Sequence, residues 1–143
     1  MQFGLSEEQV LLQDNVKRFL TDNVPLERVR KYSEDGSDAD IWQGLTELGI
    51  PALLIPEEQG GLGMTPMDAA IVAESLGYHV VPSPFLGSAI MAPVALSQSD
   101  NDYSELLGQI IEGKTRIGIA YGEAVGNRND ASVSLDNGKI NGK

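Results

Sequence analysis

Apolar residues recur at helical spacing in five stretches of the chain, and at strand spacing only towards its carboxy-terminal end. In the first stretch Leu12, Val16, Phe19 and Leu20 fall on one side, with Asp14, Lys17 and Arg18 elsewhere on the wheel. Ser6 and Gln9 have the spacing of a capping box, in which each side chain satisfies an orphan backbone N–H. Glu7 and Glu8 suit the positive end of the helix, and Leu5 and Val10 are placed for a hydrophobic staple. The first helix is therefore predicted from Ser6, fading over residues 22–25.

Residues 33–40 are polar and acidic and predict a solvated loop ending in a cap at Ser37 or Asp38. Ile41, Leu45 and Leu48 form the stripe of a second helix, flanked by Trp42 and closed by Gly49. An apolar strip follows between Pro51 and Pro56, and then an acidic, glycine-rich loop. Thr65, Pro66 and Asp68 are the cap, the first position and the capping-box site of a third helix. Ile71, Val72 and Leu76 give its inner face, and Gly77 is expected to end it. Pro82 and Pro84 keep residues 80–85 extended. Residues 86–96 predict a fourth helix, apolar nearly all round and so buried. Leu106, Leu107, Ile110 and Ile111 mark a fifth, ended by Gly113. Residues 117–121 form a short apolar run that predicts a buried strand. Residues 131–135 alternate by twos, and Asn137-Gly138 signals a hairpin whose return strand is 139–143. The organisation is an all-α helical bundle over residues 1–113, then the beginning of a β domain over 114–143. A lone hairpin is marginally stable in water, so the chain is expected to be cut inside a domain.

Composition narrows the function. With 143 residues the chain can bury about two thirds of its unfolded surface. A net charge of −11 repels phosphate backbones and argues against nucleic acid as a partner. The absence of cysteine excludes disulfides and thiolate metal sites and fits a cytoplasmic protein. The start of the chain has neither the basic nor the apolar region of a signal peptide, and no apolar run reaches the ~20 residues of a membrane span.

Several chemical readings give way to simpler ones. Gly60, Gly61 and Gly63 precede no Gly-Lys-Ser/Thr, so a tight structural loop is expected rather than a phosphate cradle. Glu57 and Glu58 read as solvated loop carboxylates, and Glu123 as a turn residue. His79, the only histidine, reads as a surface or helix-end residue, and no metal site is expected.

Taken in order, these features resemble the acyl-CoA dehydrogenase family. Leu5-Ser6-Glu7-Glu8-Gln9 is similar to its opening helix, and the stretch from Leu48 and Gly49 to Gly63 to its most recognisable N-terminal motif. Glu74-Ser75-Leu76-Gly77 resembles the end of its third helix. Leu106 and Leu107 through Glu112-Gly113-Lys114 resemble the lead into its middle domain. The resemblance covers essentially all of the chain. It implies an N-terminal helical domain, a β-barrel-like middle domain whose beginning is present here, and a C-terminal four-helix domain that is not.

The resemblance also implies an activity: FAD-dependent introduction of an α,β double bond into an acyl-CoA thioester, with an electron-transfer acceptor taking the electrons. The family's catalytic carboxylate lies in the C-terminal domain, so no catalytic residue is assigned. The fourth helix would wall the acyl pocket through Phe85, Ser88, Ala89, Ala92 and Leu96, with ordinary core packing as the alternative. Flavin contacts fall on Tyr121, Gly122 and Arg128. Tyr121 would touch the flavin or simply pack. Gly122 stands where the family has threonine, Ala124 where it has proline and Arg128 where it has serine, where it could pair with a phosphate instead. Val81-Pro82-Ser83-Pro84-Phe85 resembles divergent bacterial members that act on bulky acyl groups, sterol side chains included, some as mixed tetramers. A homo- or hetero-oligomer is therefore expected. The alternative is a non-catalytic partner subunit or a helical interaction module.

Overall fold

The computed structural model describes residues 4–36, 39–120 and 133–142. Its helical part is built from α1 (Glu7–Asn23), α2 (Leu26–Asp35), α3 (Ala39–Glu47), α4 (Pro66–Tyr78), a π-helical turn at Leu86–Met91 that runs into α5 (Ala92–Ser97), and α6 (Ser104–Ile111). Two short 3-10 turns, Ile50–Ala52 and Glu57–Gln59, lie between α3 and α4. The hairpin β1 (Val133–Asp136) and β2 (Lys139–Gly142) pairs Leu135 with Ile140 across the strands. Asn137 and Gly138 both take positive φ, at 50° and 75°, as a twisted two-residue turn requires. All eight strand residues are exposed.

α1 begins as its sequence predicts. The Gln9 amide N–H reaches Ser6 Oγ at 3.2 Å, and Gln9 Oε1 accepts from the Ser6 N–H at 3.1 Å. The same Gln9 side chain donates through Nε2 to Asp68 Oδ1 at 3.0 Å. Asp68 is buried at the third position of α4, where its Oδ2 accepts from the Thr65 N–H at 2.8 Å and the Thr65 hydroxyl at 2.6 Å. One glutamine and one aspartate thus cap two helices and tie their amino-terminal ends together. Burial alone would raise the Asp68 pKa, but the bonds from Thr65 and Gln9 stabilise the carboxylate more, and the net shift is downward.

The larger core cluster gathers Val16 and Leu20 of α1, Ile41, Trp42 and Leu45 of α3, Ile50 and Leu53 of the following turn, Val72 and Leu76 of α4, and Phe85 and Ala89. Trp42 is not on the flank of its helix but inside, 2% exposed. A smaller cluster of Ile55, Leu107 and Ile110 sits beside it, packed by Leu96 and Ile117.

Four expectations are corrected. Residues 26–35 form α2, so the loop expected over 33–40 is far shorter. Pro25 restarts the helix as its N-cap, Gly36 ends it at φ 70°, and only Val29 of α2 packs on the core, so an apolar stripe gave no warning. Arg28 holds α2 in place by donating to the Asn23 carbonyl at 2.8 Å and pairing with Asp40. α4 does not end at Gly77, which stays inside the helix. The left-handed residue that turns the chain is Val80, at φ 52°, with the Val81 N–H returning to the Leu76 carbonyl at 2.9 Å. The fourth helix is not uniform but opens as a π-turn. Residues 114–120 form no strand, and their exposure alternates between half-buried and exposed.

The glycine-rich loop is structural, as expected. The N–H groups of Leu62, Gly63 and Met64 bond back to the carbonyls of Ala52, Ile55 and Leu53 at 3.0, 2.9 and 2.8 Å. A Cβ on Gly61 would overlap the backbone of Ile55. Gly61→Ala should therefore lower stability by about 1–3 kcal/mol, read as a shifted urea midpoint. Val80→Gly should raise it by about 1 kcal/mol, since a β-branched residue in the left-handed region is strained and this side chain is mostly exposed. The Asp68 pKa lies below its unfolded value near 3.9, so its contribution is present above that value and fades as pH falls through the folded one. Asp68→Asn should cost about 1–2 kcal/mol at pH 7, and urea titrations of the two proteins should converge below about pH 4. A gap that stays constant down to pH 2.5 would contradict the carboxylate's role.

Candidate functional site

Of the extended stretch expected over 80–85, Val80 is left-handed and Phe85 already helical; residues 81–83 lie in no helix or strand, and Pro84 sits at a bend before the fourth helix. Pro93, at the second position of α5, has no N–H to give the Ala89 carbonyl, and in a regular helix its ring would press on that carbonyl. The chain answers by widening the preceding turn: the Ala92 N–H reaches back five residues to the Gly87 carbonyl. This π-turn alters which side chains of the helix face outward. Phe85 and Ala89 point into the larger cluster, Ala92 is buried, and Leu96 is half-buried against the smaller cluster. Leu86, Gly87 and Met91 are left on the outer side.

Facing them is the segment after α6. The N–H groups of Lys114 and Thr115 bond the Gln109 carbonyl at 2.9 and 3.2 Å, and the Thr115 hydroxyl bonds Gln109 Oε1 at 2.9 Å. Two residues on, Ile117 docks on the π-turn. Its N–H donates to Ser88 Oγ at 2.7 Å, and the Ser88 hydroxyl lies 3.3 Å from its carbonyl oxygen. Gly87 meets the same carbonyl so closely that any Cβ there would overlap it. Between the two elements runs an open groove of about 270 Å³, lined by Ser83, Pro84, Leu86, Gly87 and Met91 on one side and residues 116–119 on the other.

Apart from Arg116 the groove's lining is uncharged, and it presents no carboxylate or imidazole. It is suited to holding an apolar chain and not to moving a proton. Two other hollows differ in kind. One of about 470 Å³ is walled by polar side chains of α1 and α4, among them Lys17, Glu74 and His79. Another, of about 390 Å³, borders the Ser6–Gln9–Asp68 cap, whose polar atoms are already paired. His79 is the helix-end residue expected of it, its Nδ1 3.0 Å from the Ser75 carbonyl. Among the described residues no cluster of acidic or histidine side chains could hold a metal ion.

Of the residues proposed for the acyl wall, the structure thus brings Phe85, Ala89 and Ala92 into the core and Ser88 onto Ile117. The outward residues Leu86, Gly87 and Met91 were missed. The resemblance points to the buried side of the helix instead, with Leu96 half-buried against the smaller cluster, and the signal for the π-turn was Pro93. Tyr121, Gly122 and Arg128 lie outside the described residues, as does Glu123.

Residues 6–114 match the sequence model of the acyl-CoA dehydrogenase N-terminal domain. The chain is 39% identical over 108 residues to the acyl-CoA dehydrogenase IpdE2 of Mycolicibacterium smegmatis, a match covering 73% of this chain and 35% of that protein. It is 36% identical over 110 residues to IpdE2 of Mycobacterium tuberculosis, covering 75% and 34%. A (2S)-methylsuccinyl-CoA dehydrogenase of Cereibacter sphaeroides is 33% identical over 96 residues, covering 65% and 18%. The chain spans about a third of the length of the IpdE2 relatives it matches. Among solved structures, it superposes on a steroid acyl-CoA dehydrogenase variant, Tcur3481–Tcur3483 G363A, with a TM-score of 0.69 and 27% identity, covering 77% of this chain and 31% of that one. The ChsE4–ChsE5 complex of Mycobacterium tuberculosis also gives 0.69, at 25% identity, covering 80% and 32%.

Proposed function

The chain belongs to the acyl-CoA dehydrogenase family, and from that premise we propose that it is the helical N-terminal part, with the opening of the β part, of an FAD-dependent enzyme that desaturates an acyl-CoA thioester between its α and β carbons. Its own contribution is binding surface: one wall of the acyl pocket, and one edge of the flavin site. The observation that carries the reading is the apolar groove between the π-turn and residues 116–119, at the junction of the helical domain with the segment that leads into the hairpin.

The described residues do not make up a flavin site by themselves. A groove of 270 Å³ falls below the roughly 300–1,000 Å³ of sites that enclose even drug-sized ligands, and Arg116 is the one charged residue in its lining. Among the residues that line it, the groove presents no carboxylate or imidazole to act as the base. The steroid named for one similar structure and the methylsuccinyl thioester named for one relative differ greatly in bulk, so the proposed substrate is kept to the acyl-CoA class. The ChsE4–ChsE5 complex supports assembly with further subunits, and an electron-transfer acceptor would complete the cycle. No helix among the described residues is long and apolar enough to cross a membrane, in keeping with a cytoplasmic enzyme.

The full-length protein tests this. It should purify yellow, bleach when an acyl-CoA is added without oxygen, and then reduce an added electron acceptor. A colourless protein that no acyl-CoA affects, and that binds only a related subunit, would replace the reading with that of a non-catalytic partner.

A further inference from the structure

We propose that Ser88 is a positioning residue that sets the width of the groove through Ile117, and so selects acyl groups by their cross-section; this rests on the reading of the groove as the acyl wall. Ser88 is completely buried and is not itself part of the groove's lining. Its hydroxyl is engaged with both backbone polar groups of a single residue, accepting from the Ile117 N–H and donating to the Ile117 carbonyl. That leaves it no donor for a ligand. It does for Ile117 what a neighbouring strand would do, in a segment that pairs with no strand among the described residues.

Gly87 completes the device. Because it has no Cβ, the Ile117 carbonyl can close on the π-turn, and any side chain there would hold the two elements apart. Gly87 therefore sets how near the segment comes, and Ser88 sets which residue stands at the contact. Ile117 is also gripped from its other end, since its side chain packs on the cluster of Ile55, Leu107 and Ile110. Both Gly87 and Ile117 line the groove. A change at Ser88 is thus transmitted to the lining without altering a lining side chain.

The consequence follows from hydrogen bonding. With Ser88→Ala the Ile117 N–H and carbonyl lose their partner in a half-buried position, where unsatisfied groups are costly and the segment gains by lifting towards water. The groove then widens. Gly87→Ala reaches the same end by a different atom, pushing the carbonyl away while the hydroxyl is kept.

Two measurements test this together. In the full chain, Ser88→Ala should speed amide exchange at Ile117 by about tenfold or more, while the amides of Leu20 and Val72 in the larger cluster keep their protection. In the full-length protein, both variants should shift the ratio of kcat/KM values between a straight-chain and a branched acyl-CoA by about fivefold or more towards the branched one, mainly through KM. Unchanged protection at Ile117 would overturn the latch. Faster exchange with an unmoved acyl preference would overturn its role in selection. Absence of any acyl-CoA turnover in the unsubstituted full-length protein would instead refute the functional reading, and with it the selection, while the exchange result still decides whether Ser88 holds Ile117.

Discussion

Outside its helices this chain has long stretches of backbone that no sheet within the helical part takes up, and finding partners for that backbone is the constraint on which the rest depends. A buried amide or carbonyl left without a partner costs about 1–3 kcal/mol, a large share of the total stability of a small domain. Each stretch solves the problem locally. Residues 52–64 fold back on themselves around Gly61, so that three N–H groups of the return limb reach carbonyls of the outgoing one. The amino-terminal ends of α1 and α4 share Gln9 and Asp68. Residues 114–117 lean on Gln109 and then on Ser88. Among the described residues the two strands of the hairpin pair with each other, and their side chains are exposed.

The same constraint shapes the groove. Pro93 denies the Ala89 carbonyl a helical partner, and the π-turn that results turns Gly87 towards the incoming segment. A helix-interior proline costs about 3 kcal/mol, so a widened turn that relieves the clash and buries Ala89 and Ala92 is the cheaper arrangement. The groove thereby arises from a backbone irregularity. Packing holds it from behind: Phe85 and Ala89 on the large cluster and Ile117 on the small one fix both walls of the groove.

Much of the fold was legible in the residues. Ser6 with Gln9, Thr65 with Pro66 and Asp68, and Asn137-Gly138 each carry a local mechanism strong enough to place an element boundary. Helix existence followed from apolar spacing wherever one face is buried. α2 escaped because it packs on the core through little more than Val29, and its boundaries rest on Pro25 and Gly36. The end of α4 was misplaced because a glycine is the usual left-handed residue, and here a strained valine, three residues further on, takes that role. The strand expected over residues 117–121 rests on a short apolar run, and an apolar run reports burial and not the presence of a neighbour to pair with; residues 117–120 form no strand, and Tyr121 lies outside the described residues. At the groove, the residues expected of the fourth helix from the family resemblance, Phe85, Ser88, Ala89 and Ala92, are the buried ones, and Leu96 is half-buried. Which face lines the groove depends on the π-turn, a response to Pro93 and Gly87 together.

The most direct measurement is a structure of the full-length protein with an acyl-CoA bound. The acyl chain should lie between Leu86, Gly87 and Met91 on one side and residues 117–119 on the other, with Ser88 still bonded to the backbone of Ile117. An acyl chain bound elsewhere, with the groove filled by the protein's own side chains, would contradict the account.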